Sequence, residues 1–292
     1  MKMMTFLTID KVELSGIIYK SKEDTKSIIL SIHGMASSCF KKRDEIIAKQ
    51  ANDNGIDYFC FNNRGSEISK YIYKEINGKM EKIICGTANE DVKEGYEDIL
   101  GAILKLKELG YENIHLQGHS LGATKIVYTY NRLLEKSEIS NNIKSVILLS
   151  LIDIPGMLKV YLKNKYDEYV NLAKEKENAG LEDEYMPKEA FIHPISVKTF
   201  LKYTRDSEVI NFANYGQDKK LEKLNNIKVP LFMRWGNVNE MIIQKPQELV
   251  EIINNTIQNQ KKDINYTDGA NHNYTNKEEV IAEEIIKFII SK

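Results

Sequence analysis

The sequence predicts an α/β fold: a doubly wound, mostly parallel sheet of eight strands with a helical lid inserted after the sixth strand. Three observations lead to it. Short apolar runs alternate with longer segments of helical periodicity along most of the 292 residues. The run Ser27 to Ile32 is apolar without alternation, as expected of a strand covered on both faces. Residues 155–226 are helical, charged and tyrosine-rich with no strand signal, and are too long for a loop. The expected organisation is therefore a core in two parts, 1–154 and 227–292, around an insertion spanning 155–226.

Taken in order, Phe6 to Asp10 and Val12 to Tyr19 read as paired strands, and Ser27 to Ile32 as the first buried strand. Arg43 to Asn54 has helical periodicity and stops at Gly55; Tyr58 to Phe61 is a short buried strand. Asp91 to Leu109 reads as a helix capped by Gly110. Asn113 to Gln117 is a strand with the helix Leu121 to Leu134 directly behind it, and Ser145 to Leu149 is the sixth strand. After the insertion come the strand Val229 to Trp235, the helix Pro246 to Ile257, the strand Asp263 to Tyr266 and the helix Glu278 to Ile290.

A net charge of −1 and a pI near 6.6 imply neither a basic field for nucleic acid nor a polybasic membrane patch. No apolar stretch approaches the ~20 residues of a membrane span, and the first residues do not resemble a signal peptide. The three cysteines, Cys39, Cys60 and Cys85, lack metal-ligand spacing and read as reduced thiols of a cytoplasmic protein. Cys39 lies near a loop expected at the site, where it is either passive or reactive. No metal or cofactor is expected. A homodimer is compatible with the chain, which leaves the oligomeric state open.

Gly118-His119-Ser120-Leu121-Gly122 falls between a strand and a helix. In that setting Gly-x-Ser-x-Gly forms a nucleophile elbow: a strained turn that aims the serine hydroxyl into a cleft above the sheet. The helix N-terminus adds N–H groups suited to a developing oxyanion. His33-Gly34-Met35 follows the first buried strand, and Gly34 lets backbone approach a substrate. Among five histidines, His115 lies inside a strand, His119 within the elbow on its packing side and His193 in the insertion. His272, in a strand-to-helix loop after Ser120 in chain order, is the expected base.

With these residues, the chain resembles the α/β-hydrolase superfamily over essentially its whole length. His33-Gly34, Asn63-Arg64-Gly65, the elbow, Gly236 to Glu240 and His272 carry the resemblance. Gly86-Thr87-Ala88 and Arg234-Trp235-Gly236-Asn237 are similar to a less characterised branch that includes fungal siderophore-ester hydrolases. The resemblance implies Ser120 as nucleophile, His272 as base, and the N–H groups of Met35 and Leu121 as the oxyanion hole. His33 is expected to shape its loop.

The superfamily usually carries an aspartate three residues after the glycine at Gly236, where this chain has Asn239. Glu240 stands next to it, and Asp153 lies just beyond the sixth strand, where some members keep their acid. The acid is therefore Glu240, Asp153 or a neutral Asn239, in that order of preference; Asp268 is too close to its own turn. Arg234, in a buried strand, pairs with a local carboxylate or recognises an anionic substrate group, and Arg64 pins its loop.

The implied activity is cleavage of a carboxylic ester, thioester or lactone of a small molecule through an acyl-enzyme. Acyl transfer by the same intermediate and a ligand-binding pseudo-hydrolase are the alternatives. The insertion is expected to roof the acyl pocket with some of its aromatic residues: Tyr161, Tyr166, Tyr169, Tyr185, Phe191, Phe200, Tyr203, Phe212 and Tyr215.

Overall fold

The structure is a computed structural model that describes residues 1–204 and 221–291. Residues 205–220 of the expected insertion, with Phe212 and Tyr215, lie outside the described residues. Ten strands are described: β1 (Lys2–Leu7), β2 (Glu13–Tyr19), β3 (Ser27–Ile32), β4 (Asp57–Phe61), β5 (Lys70–Ile76), β6 (Lys79–Cys85), β7 (Asn113–His119), β8 (Ile143–Leu149), β9 (Leu231–Gly236) and β10 (Lys262–Thr267). The helices are α1 (Lys42–Asp53), α2 (Gly95–Glu108), α3 (Leu121–Leu133), α4 (Ser137–Ser140), α5 (Ile154–Leu162), α6 (Tyr166–Asn178), α7 (Val197–Thr204), α8 (Glu222–Asn225), α9 (Pro246–Thr256) and α10 (Glu278–Ile290).

Eight strands form one sheet in the order β1-β2-β4-β3-β7-β8-β9-β10. Only β1/β2 and β2/β4 pair antiparallel; every other pair in this sheet is parallel. Apolar runs without alternation are what this requires, because both faces of the sheet are covered. Along β3, Ile28, Leu30 and Ile32 pack with α2 and α3 on one face. Ile29 points the other way, onto a cluster shared with Ile47 of α1 and Ile281 and Ile285 of α10. Period-two side-chain direction thus builds two cores from one strand. A third cluster holds the segment after β8: Ile154, Leu158, Phe200 and Tyr203 pack with Leu121, the first residue of α3. The segment therefore lies over the C-terminal end of β7, where the elbow sits.

Two expectations are corrected by the chain's local chemistry. The first strand spans Lys2–Leu7 rather than Phe6 to Asp10, because Thr8 turns the chain: its hydroxyl accepts from Val12 N at 2.8 Å, and Lys11 takes φ 70°. The helix expected from Asp91 begins at Gly95, after a short 3-10 turn that Asp91 caps by accepting from Lys93 N.

The hairpin β5–β6 lies outside the expected strands. Its turn, Asn77-Gly78, takes φ 52° and 77°, the doubly positive geometry of a two-residue hairpin loop. Tyr71↔Ile84 and Tyr73↔Lys82 are cross-strand partners in it. Among the described residues no helix is long and apolar enough to cross a membrane.

Candidate active site

Ser120 ends the strand-to-helix turn at φ 55°, ψ −123°, a backbone geometry that costs a non-glycine residue about 1–3 kcal/mol. The turn is held by its surroundings: Ser120 N donates to Leu149 O at 2.8 Å, and Ala123 N donates to Ser120 O at 2.9 Å. Both flanking glycines are sterically required. A Cβ on Gly118 would lie 2.5 Å from Gly122 O, and one on Gly122 would lie 2.3 Å from Ile32 O. Gly34 is close-packed but less tightly bounded, since its Cβ would come to 3.0 Å from the Ser120 Cβ.

Ser120 and His272 line one cavity of about 340 Å³. His272 sits in the loop between β10 and α10, where Asn271 Oδ1 accepts from Asn273 N and Thr275 N, both at 3.0 Å. Its Nδ1 donates to Glu240 Oε1. The Glu240 carboxylate also accepts from Met241 N at 2.8 Å, Gly236 N at 2.7 Å and Ser150 Oγ at 2.8 Å. Its side chain is 2% exposed. Burial pushes the acid up, but the His272 bond and charge with the Gly236 and Ser150 bonds hold it below the usual carboxylate range.

Of the three candidate acids, the structure brings only Glu240 to the ring. Asn239 is exposed and turns the chain at φ 50°, a conformation asparagine tolerates better than most residues. That turn leaves the next residue, Glu240, to face His272. Asp153 is the N-cap of α5, its Oδ1 accepting from Gly156 N at 2.9 Å. Asp268 accepts instead from Asn237 Nδ2 at 2.8 Å.

Arg234 is corrected as a substrate-binding residue. Its Nε donates to Glu284 at 2.8 Å, its Nη2 reaches Asp263 Oδ1 at 2.8 Å, and it lies over the Phe232 ring. A guanidinium so engaged is not part of the cavity lining. Arg64 does pin its loop: Nε donates to Asp98 at 2.8 Å and Nη2 to Asp10 at 2.7 Å.

His119 is also corrected. It does not face away from the site but lines the cavity, and its Nε2 donates to His272 O at 2.7 Å. Burial, then the charge of Arg43, keep its pKa well below the ordinary value, so the ring acts as a neutral donor. Nothing in the sequence distinguished this from simple packing, because the partner lies 153 residues away.

Met35 and Gly34 line the same cavity. Leu121 opens α3, so its N–H is one of the first-turn donors the helix cannot satisfy itself. Part of the lining is apolar, from Ile152, Ile154 and Leu158. Of the aromatic residues expected in the roof, Tyr161 and Phe191 line the cavity. Phe200 and Tyr203 are wholly buried in the packing of the inserted segment. Cys39 is a buried free thiol outside the lining.

Sheet order, elbow and the placement of His272 define an α/β-hydrolase fold. No family model matches the sequence, and no curated protein matches it. Solved structures share the fold at low identity. Est1E from Butyrivibrio proteoclasticus, with ferulic acid bound, is 14% identical; the match covers 99% of this chain and 98% of that one, with TM-score 0.68. The α/β hydrolase GrgF from Penicillium sp. sh18 is 15% identical over 98% of this chain and 96% of its own, with TM-score 0.67. The Pyrococcus furiosus esterase Pf2001 is 19% identical over 99% and 91%, with TM-score 0.58.

Proposed function

We propose that this chain is a serine hydrolase that cleaves a carboxylic ester, or a thioester or lactone, of a small molecule through an acyl-enzyme. The observation that carries the reading is the Glu240 carboxylate on His272 Nδ1, beside a cavity that His272 shares with Ser120. Because Glu240 accepts the Nδ1 proton, the neutral ring keeps its Nε2 lone pair for the Ser120 hydroxyl. Ser120 Oγ attacks the carbonyl as Nε2 takes its proton. Charge then develops on the carbonyl oxygen, where the N–H groups of Leu121 and Met35 receive it. His272 returns the proton to the leaving oxygen, then activates water to release the acyl group.

The apolar lining suits an apolar acyl group, and the inserted segment serves as the lid of its pocket. The esterase and α/β hydrolase neighbours support ester cleavage in general terms. A fluorophosphonate probe tests the reading: it should label the native protein once, and Ser120→Ala should abolish both labelling and turnover of a p-nitrophenyl ester. Labelling that survives the substitution, or a native protein that neither labels nor turns over, refutes it.

A further inference from the structure

Gly86-Thr87-Ala88 carries part of the branch resemblance, yet none of the three lines the cavity. Thr87 is wholly buried, and its hydroxyl makes two bonds. It accepts from Ala36 N at 2.8 Å and donates to Gly65 O at 2.9 Å. Ala36 directly follows Met35 and sits at φ 49°, left-handed backbone that alanine adopts only when its surroundings impose it.

We propose that Thr87 is a positioning residue for the oxyanion hole, fixing the Met35 N–H through the neighbouring Ala36 N–H. The assignment rests on the ester-hydrolysis reading above. Consecutive peptide units of the loop are clamped from two sides. His33 Nδ1 donates to Gly34 O at 2.8 Å and so sets the plane of the Gly34–Met35 peptide, which contains the Met35 N–H. That ring is neutral, since burial pushes it down to about 3, and its Nε2 accepts from Asn63 N at 3.3 Å. Thr87 takes the next peptide by its nitrogen, which fixes the rotation about Met35 itself. Without the hydroxyl, Ala36 can relax toward ordinary φ and swing the donor away from the developing charge.

Thr87 is itself rigidly carried. Gly86 N donates to Arg64 O, Thr87 N to Glu67 O and Ala88 N to Ile68 O, each at 2.9 Å. The adjoining Glu90 pairs with the buried Lys125 of α3, the helix that begins behind Ser120. The inserted segment grips the same stretch: Ser196 N donates to Ala88 O at 2.8 Å, and Thr199 Oγ1 to Glu90 O at 3.2 Å. One short stretch therefore meets the oxyanion loop, the elbow helix and the insertion.

Thr87→Val keeps the side-chain shape and removes both hydrogen bonds. Hydrolysis of p-nitrophenyl butyrate, normalised to sites titrated with a fluorophosphonate, should lose about 10–100-fold in kcat with KM changed less than about twofold. Thr87→Ser restores the hydroxyl and should return kcat to within about threefold of native. If Thr87→Val does not fold, the pair Thr87→Ala and Thr87→Ser supplies the same contrast. A hydroxyl-free variant with native kcat, a loss confined to KM, or a serine variant as impaired as the valine one overturns the proposal while leaving ester hydrolysis intact. Turnover that persists in Ser120→Ala overturns the hydrolase reading and this assignment with it.

Discussion

On the proposed hydrolase reading, Glu240→Gln tests how His272 is held as the base, because an amide cannot reproduce what the carboxylate does. Oε1 accepts from His272 Nδ1 and Met241 N, while Oε2 accepts from Gly236 N and Ser150 Oγ. Glutamine offers one accepting oxygen and an NH₂ with only donors. If the amide oxygen faces His272, the NH₂ meets the Gly236 N–H donor to donor. That arrangement costs about 1–3 kcal/mol for a buried donor left unpaired. If the NH₂ faces His272, the ring must adopt the other tautomer. Nε2 then carries the proton and cannot accept from Ser120. Either way the imidazolium of the transition state loses its counter-charge. Loss of a triad acid in this manner costs ~10⁴-fold in kcat, about 5 kcal/mol of barrier. The assay is kcat for a p-nitrophenyl ester beside a denaturant titration. Asp153→Asn should cost less than about tenfold in kcat, since Asp153 caps α5. A Glu240→Gln enzyme within tenfold of native, or the reverse ranking of the two variants, refutes the placement of the acid.

Acid should destabilise the fold before most carboxylates titrate. Burial pushes His33 down to about 3 and His115 down to about 4, from an ordinary value of 6.5. Above pH 6.5 both are neutral folded or unfolded; below it the unfolded chain binds protons the native one refuses, so stability is lost as pH falls toward the folded values. Each histidine should cost about 2 kcal/mol at pH 5 relative to pH 7.5 by denaturant titration. His115→Asn should remove about 2 kcal/mol of that difference, and a flat profile contradicts the account. In the inserted segment, Tyr161→Ala should change the kcat/KM ratio between long- and short-acyl esters. Phe200→Ala should cost about 3–5 kcal/mol of stability and leave the ratio alone. A ratio indifferent to Tyr161 refutes its contact with the acyl group.

What the sequence determined by itself is what local backbone chemistry encodes. Continuous apolar runs marked the buried parallel strands, and β3 spans Ser27–Ile32 as expected. The glycines around Ser120 are legible because their spacing about the serine is a local pattern, although the backbone that crowds Gly122 belongs to Ile32 of β3, and the closing helix Glu278–Ile290 shows its own periodicity. The hairpin at Asn77-Gly78 rests on an equally local turn signal. Which candidate acid meets His272 could not be read from sequence. Glu240, Asp153 and Asn239 each stood at the end of a strand, and only the left-handed turn at Asn239 turns Glu240 toward a ring 32 residues further on. His119 on the His272 carbonyl, Arg234 locked by Asp263 and Glu284, and Thr87 on Ala36 belong to the same class. Each joins residues far apart in the chain. A hydrogen bond depends on distance and angle to fractions of an ångström, which residue type and periodicity do not record and only the packed structure decides.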